Sequence, residues 1–240
     1  MKHVVVTGIS GGIGRAILGY LLNAVDDEGD SAYTIIGVYN QNRPTLEHRR
    51  FVAYKVNLQD SDEVQRWANG FGPGAPWAIV NLAGAQLSGM HWKAGKDAEE
   101  EVIDANLRST MHMCRSFSPL FRENGAGRII NVSSVVADMG AVGCSAYAAS
   151  KAGIEGYTRA IALELARDRV TANCVALGYC NYGMIESVPD GLRAEIQKRI
   201  PLGRLGVGSD VAGLLLYLLG EQSGYMTGQT LHLNGGIYLG

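Results

Sequence analysis

The chain has 240 residues, 47% hydrophobic and 18% charged. That composition fits one large globular domain whose core needs no staples, and excludes a disordered chain. The formal net charge of -2 offers no global basic field, so nucleic acid is not expected as a partner.

His3 to Thr7 reads as a buried strand, a β-branched run closed by glycine. Gly12 to Asn23 follows as a helix with Ile13, Ile17, Leu18, Leu21 and Leu22 on one side. Asp26 to Asp30 is a polar turn. Tyr33 to Tyr39 is a second strand and Phe51 to Val56 a third. Ser61-Asp62-Glu63 caps a short helix that runs to about Ala68. A Gly/Pro loop, 70 to 76, leads to a fourth strand, Trp77 to Leu82.

A long helix is expected from Lys96 to Arg122, bent near Pro119. Arg128 to Ser133 is a fifth strand, Ser145 to Arg167 a helix, and Val170 to Ala176 a sixth strand. Helices near 191–199 and 209–219 precede a last strand, Thr230 to Leu233. The alternation predicts a single doubly wound α/β domain, a parallel sheet with helices on both faces. Ligands of such sheets bind outside the carboxyl ends of the strands.

Cys114, Cys144, Cys174 and Cys180 form no C-x-x-C pair and no Cys/His cluster of zinc spacing. Buried thiols in a reducing compartment are expected, and no metal site. Val4 to Val6 is too short for a signal-peptide core, and Leu214 to Leu219 falls far short of a membrane span. A cytoplasmic, soluble protein without membrane contact is expected.

The turn Thr7-Gly8-Ile9-Ser10-Gly11-Gly12-Ile13-Gly14 joins the first strand to the first helix. Glycines there let backbone amides approach phosphates, and the helix N-terminus adds positive potential. A tight turn in any α/β protein is the plainer explanation, but the strand–turn–helix context favours a dinucleotide. Tyr147 and Lys151 lie one helical turn apart, with Ser134 upstream at a strand end. A free tyrosine titrates near ~10, and a neighbouring ammonium lowers that value. Together these features point to hydride transfer at a carbonyl carbon.

The turn reads T-G-x-x-x-G-x-G and resembles the short-chain dehydrogenase/reductase family. Asn81-Leu82-Ala83-Gly84 resembles that family's N-A-G segment, which shapes the cofactor floor. Asn131-Val132-Ser133-Ser134 with Tyr147-x-x-x-Lys151 resembles its catalytic strand and helix, and Asn106 in Asp104-Ala105-Asn106-Leu107 matches the asparagine of its tetrad. The resemblance implies a Rossmann-type sheet and assigns Ser134, Tyr147, Lys151 and Asn106 as catalytic. Ser133 is the rival serine, set aside on the family's spacing to Tyr147. Asn57 stands where the family often has an aspartate that touches adenine.

By the same resemblance the cofactor-binding set is Thr7, Gly8, Ser10, Gly11, Gly12, Ile13, Gly14, Asn40, Arg43, Asn57, Leu58, Asn81, Ala83, Gly84, Tyr147, Lys151 and Gly178. The second strand is followed by Asn40-Gln41-Asn42-Arg43, with no acid before Glu47. NADP(H) is therefore favoured over NAD(H), although Gly11 stands where many NADP-dependent relatives carry a basic residue. Leu177 and Tyr182 replace the proline and threonine of the family's P-G-x-x-x-T-x-M. Ile185 to Arg199, within a wider 183–200 segment, is expected to be a mobile substrate lid.

The segments 201–206 and 225–236 resemble the branch of β-ketoacyl-[acyl-carrier-protein] reductases. That branch implies a 3-oxoacyl thioester substrate, carried on an acyl carrier protein or coenzyme A, and a homotetramer built on the long helices. Arg128, Arg167 and Arg169 are candidates for a basic patch that docks the acidic carrier. A dehydrogenase of another alcohol, sugar or ketone is the first alternative, and a non-catalytic nucleotide-binding protein the second.

Overall fold

The computed structural model describes residues 1–26, 28–86 and 88–240, with side chains of Pro73, Met184 and Ser187 outside that description. Seven strands form the sheet: β1 (Lys2–Thr7), β2 (Tyr33–Tyr39), β3 (Phe51–Lys55), β4 (Ala78–Asn81), β5 (Gly127–Ser134), β6 (Val170–Leu177) and β7 (Thr230–Leu233). Their order is β3-β2-β1-β4-β5-β6-β7, and every pairing is parallel. The chain winds outward from β1 to β3, then restarts on the other side of β1 at β4. That reversal between β1 and β4 is the switch point, where sheets of this kind bind ligands at the carboxyl ends of their strands. This is the doubly wound, Rossmann-type sheet expected from the sequence.

The helices are α1 (Gly12–Leu22), α2 (Ser61–Asn69), α3 (Lys96–Ile103), α4 (Ser109–Asn124), α5 (Val136–Met139), α6 (Ser145–Leu165), α7 (Asp190–Lys198) and α8 (Gly208–Leu219). Successive strand residues face opposite sides, and the cores show it. Val4 and Val6 pack with Ile17 and Leu21 of α1 and Leu215 of α8. Val5 joins Ile79 and Ile129 under Phe117 and Phe121 of α4 and Ile161 of α6.

Three local expectations are corrected. The N-cap of α2 is Asp60, whose carboxylate accepts the amides of Asp62 and Glu63, and not Ser61. The long helix is interrupted at Asp104–Arg108 by a π-turn, while α4 continues through Pro119. A π-turn frees carbonyls from the ladder; here Ser109 Oγ donates to Asp104 O at 2.9 Å and Thr110 Oγ1 to Asn106 O at 2.8 Å. The short α5, just beyond β5, was not expected. The polar turn at 26–30 is closed by the Asp26 amide donating to Asp30 O; Asp27 within it lies outside the described residues.

All four cysteines are free and buried. No helix among the described residues is long and apolar enough to cross a membrane.

Candidate active site

The glycine turn stands at the switch point, held by a threonine. Thr7 is fully buried, and its Oγ1 accepts the amides of Leu82 at 3.1 Å and Ala83 at 3.0 Å. That bond fixes the end of β1 to the Asn81–Gly84 segment. Gly8 has φ +67°, and a Cβ there would lie 2.7 Å from Ala83 Cα, so only glycine permits this approach. A Cβ on Gly14 would fall 2.4 Å from Gly8 O. No side chain caps α1 at Gly11. An uncapped helix terminus with glycine-thinned backbone fits a dinucleotide pyrophosphate. The turn also touches the segment beyond β6: a Cβ on Gly12 would lie 2.3 Å from the Gly183 amide nitrogen.

Every cofactor residue inferred from sequence sits at the carboxyl edge of the sheet or in that turn. Asn40 and Arg43 are exposed beyond β2. Asn57 follows β3, and its Oδ1 accepts the Gln59 amide, so its side chain is engaged locally. Leu58 is half-buried beside it. Asn81 is buried at the end of β4 and donates to Asn131 Oδ1 at 2.8 Å. Gly178 follows β6, where a Cβ would meet Asn234 Cα at 2.6 Å.

One basic residue was missed. Arg15, one turn past Gly11, donates from Nη1 to Ser10 O at 3.0 Å. Helical side chains lean toward the N-terminus, so an arginine at that spacing folds back over the turn. That lean was a usable signal.

Ser134 ends β5, while Tyr147 and Lys151 share one face of α6, and all three meet at the same edge. Tyr147 and Lys151 are buried. Lys151 Nζ donates to Val132 O at 2.9 Å and stands 5.7 Å from the Tyr147 ring centroid. Burial pushes the Tyr147 hydroxyl up to about 12; a hydrogen bond with Ser134 opposes this, and the Cys144 thiol adds to it. The sequence argument expected Lys151 to lower that value. Burial wins here, because the ammonium is directed at the Val132 carbonyl. Burial also pushes Lys151 itself down to about 8.

The two serines separate cleanly. Ser133 Oγ is committed to Glu155 Oε1 at 2.7 Å. Ser134 Oγ faces Tyr147 and accepts the Val136 amide at 3.2 Å.

Asn106 sits in the π-turn with no exposed surface. Its Oδ1 accepts the Ala85 amide at 2.7 Å, and its Nδ2 donates to Ala85 O and Ser150 Oγ, each at 2.9 Å. Leu107 packs on Gly153, where a Cβ would lie 2.9 Å from Leu107 Cδ2. That close approach seats the π-turn against α6. Asn106 therefore fixes the Gly84–Ala85 backbone beside Lys151: a Cβ on Gly84 would lie 2.7 Å from Asn106 Oδ1 and 3.5 Å from Lys151 Nζ.

The expected basic patch is corrected. Arg128 is buried at the start of β5, stacked 4.7 Å from the Trp77 ring centroid. Arg167 and Arg169 precede β6. All three lie at the amino-terminal edge of the sheet, so within one chain none lines the mouth of this site. The segment 183–200 does lie beyond β6, with Ile185, Ile196 and Ile200 in a small apolar cluster.

Comparison with known proteins agrees with this geometry. The family model described as enoyl-(acyl carrier protein) reductase matches residues 40–238. The 3-oxoacyl-[acyl-carrier-protein] reductase FabG of Staphylococcus aureus is 32% identical over 99% of this chain and 98% of its own length. The protein of the same name from Vibrio harveyi shows the same identity and coverage. Nodulation protein G of Azospirillum brasilense is 40% identical over 66% of this chain and 65% of its own. With its parallel sheet, glycine turn and Ser–Tyr–Lys edge, the chain belongs to the short-chain dehydrogenase/reductase family, as an NAD(P)-dependent oxidoreductase acting on CH–OH and C=O groups.

Proposed function

We propose that the protein is an NADPH-dependent ketoreductase that reduces a 3-oxoacyl thioester, carried on an acyl carrier protein or coenzyme A, to the 3-hydroxyacyl form. The single observation that carries this is the meeting of Ser134, Tyr147 and Lys151 at the carboxyl edge, beside the uncapped glycine turn. Near-complete coverage of relatives named for that reaction supports the substrate class.

NADPH, when bound, supplies the hydride that reduces the carbonyl carbon. Ser134 donates a hydrogen bond to the substrate oxygen and holds it beside the Tyr147 hydroxyl. Tyr147 gives its proton to that oxygen as charge develops there. Lys151, cationic below about pH 8, stabilises the phenolate left behind. Asn106 keeps the Gly84–Ala85 backbone in place through two hydrogen bonds to Ala85 and ties it to α6 through a third to Ser150 Oγ.

Two observations support the 2′-phosphate. No carboxylate follows β2 before Glu47, and both Arg15 and Arg43 place cations on this rim. Arg15, anchored to Ser10 O, substitutes for the side chain that Gly11 lacks. Exposed Met111 on α4 and Leu163 on α6 suit the helix-to-helix contacts of a homotetramer. Segment 183–200 is read as the substrate lid, and the protein as cytoplasmic.

A substrate panel tests the assignment. NADPH oxidation should be fast with a 3-oxobutanoyl thioester and at least tenfold slower with simple ketones and sugars. Turnover confined to alcohols or sugars would replace the thioester reading with that of a general alcohol dehydrogenase.

A further inference from the structure

Glu155 is a buried carboxyl, 6% exposed, that the reaction above does not use. It lies one helical turn beyond Lys151 and two beyond Tyr147, on the same face of α6. Its Oε1 accepts the Ser133 hydroxyl at 2.7 Å. Ser133 Oγ is also 3.3 Å from the Lys151 carbonyl, and the preceding residue, Val132, accepts Lys151 Nζ at 2.9 Å. The single Ser133 proton goes to the nearer acceptor, Glu155, so two hydrogen bonds, Ser133–Glu155 and Lys151–Val132, tie one turn of α6 to two neighbouring residues of β5. A leucine at 155 would pack without the cost of burying a polar group. The carboxyl instead holds Ser133.

The surroundings of Glu155 reach solvent. Asp138 of α5, His232 of β7 and Arg159 of α6 all act on it electrostatically. Glu155 and Lys151 both act electrostatically on Cys174 of β6. His232 Nδ1 is 4.0 Å from Asp138 Oδ2, each side chain about a quarter exposed, and the His232 ring lies 5.0 Å from that of Tyr238.

We propose that Glu155 is a positioning residue for the reaction: through Ser133 it sets how Lys151 is held on β5, and ionisation of Glu155 itself, biased by the solvent-facing Asp138–His232 pair, makes that placement respond to pH. The inference rests on Tyr147 and Lys151 being the reacting pair. Burial holds the Glu155 proton above the usual carboxylate range; the Ser133 bond opposes this, Asp138 adds to it, and His232 and Arg159 oppose it. As pH rises through that shifted value, the carboxylate forms and its bond from Ser133 becomes charge-assisted and stronger. Lys151 is then held more firmly, so kcat rises along an acid limb.

The test is the pH profile of kcat, with KM for ketone and NADPH, in three variants. Glu155→Gln should flatten the acid limb and lower plateau kcat roughly three- to tenfold, the worth of one hydrogen bond, with both KM values unchanged. His232→Ala removes a group that lowers the Glu155 value, so the limb should move to higher pH. Asp138→Asn removes one that raises it, so the limb should move to lower pH. A Glu155→Gln profile that superposes on wild type, or a lower kcat with the acid limb intact, overturns the proposal.

Should Glu155→Gln fail to fold, Ser133→Ala cuts the same link and leaves the carboxyl in place. It must then lower kcat three- to tenfold with KM unchanged, and wild-type kcat would overturn the link. Tyr147→Phe separates the two levels of the argument. Activity retained in that variant overturns the reacting pair itself, whereas its loss at every pH leaves Glu155 to be judged on its own profile.

Discussion

Lys151 Nζ lies 5.7 Å from the centroid of the Tyr147 ring and spends a hydrogen bond of 2.9 Å on the Val132 carbonyl. Neither group titrates at its ordinary value. Burial drives Tyr147 up to about 12 and Lys151 down to about 8. In the reductive direction the tyrosine must hold its proton and the lysine its charge. Log(kcat/KM) for ketone reduction should therefore stay level just below pH 8 and fall toward a slope of one decade per pH unit above it. A level profile through pH 10 would remove Lys151 from the titration.

The same lysine destabilises the fold. Its folded value, about 8, lies below the ordinary 10.5, so between those pH values the unfolded chain holds more protons. Stability then rises with pH across that window. Below it, folding holds a cation that prefers water by roughly 3 kcal/mol. Lys151→Met should raise urea-unfolding stability at pH 7 by about 1–3 kcal/mol, erase the rise between pH 8 and 10.5, and abolish turnover. Lower stability in the methionine variant would contradict the burial argument.

Gly84 has no room for a side chain. Its added Cβ would press on Asn106 Oδ1 at 2.7 Å, the atom that accepts the Ala85 amide. Gly84→Ala should reduce kcat at least tenfold. Asn106→Ala strips three hydrogen bonds from a fully buried site and should cost about 2–4 kcal/mol by urea denaturation. Wild-type stability in Asn106→Ala would mean that the π-turn stands without its asparagine.

Arg15 folds back from α1 onto the glycine turn, held on Ser10 O. Arg15→Glu replaces with an anion the cation proposed to favour a 2′-phosphate. Titration of NADPH fluorescence should show Kd rising at least tenfold, with NADH binding changed less than twofold. Equal losses for both cofactors would assign Arg15 to the turn's structure rather than to phosphate recognition.

The sheet was legible because its strands are continuous β-branched runs closed by glycine or polar residues; Tyr33–Tyr39 and Thr230–Leu233 end where the sequence places them. The glycine turn and the Tyr147/Lys151 pair were legible because their spacing is local. Features that depend on partners far along the chain were not. Arg128 is lost to the carrier-facing surface only because β4 and β5 pair Ala78 with Arg128, beside Trp77. The π-turn at Asp104–Arg108 is sustained by two hydroxyl bonds from Ser109 and Thr110, residues common in ordinary helices. Asp60 outcompeted Ser61 as a cap because a carboxylate takes two amides at once. The direction of the Tyr147 shift needed the depth of burial, which spacing does not give.

The most direct measurement compares wild type with Tyr147→Phe for NADPH binding and for single-turnover reduction of a 3-oxobutanoyl thioester. The phenylalanine keeps the ring in its pocket and removes only the hydroxyl. The predicted result is unchanged NADPH affinity with the chemical step slowed by at least ~10²-fold, the usual worth of a positioned proton donor. Reduction by the variant at the wild-type rate would contradict Tyr147 as the proton donor and, with it, this account of the site.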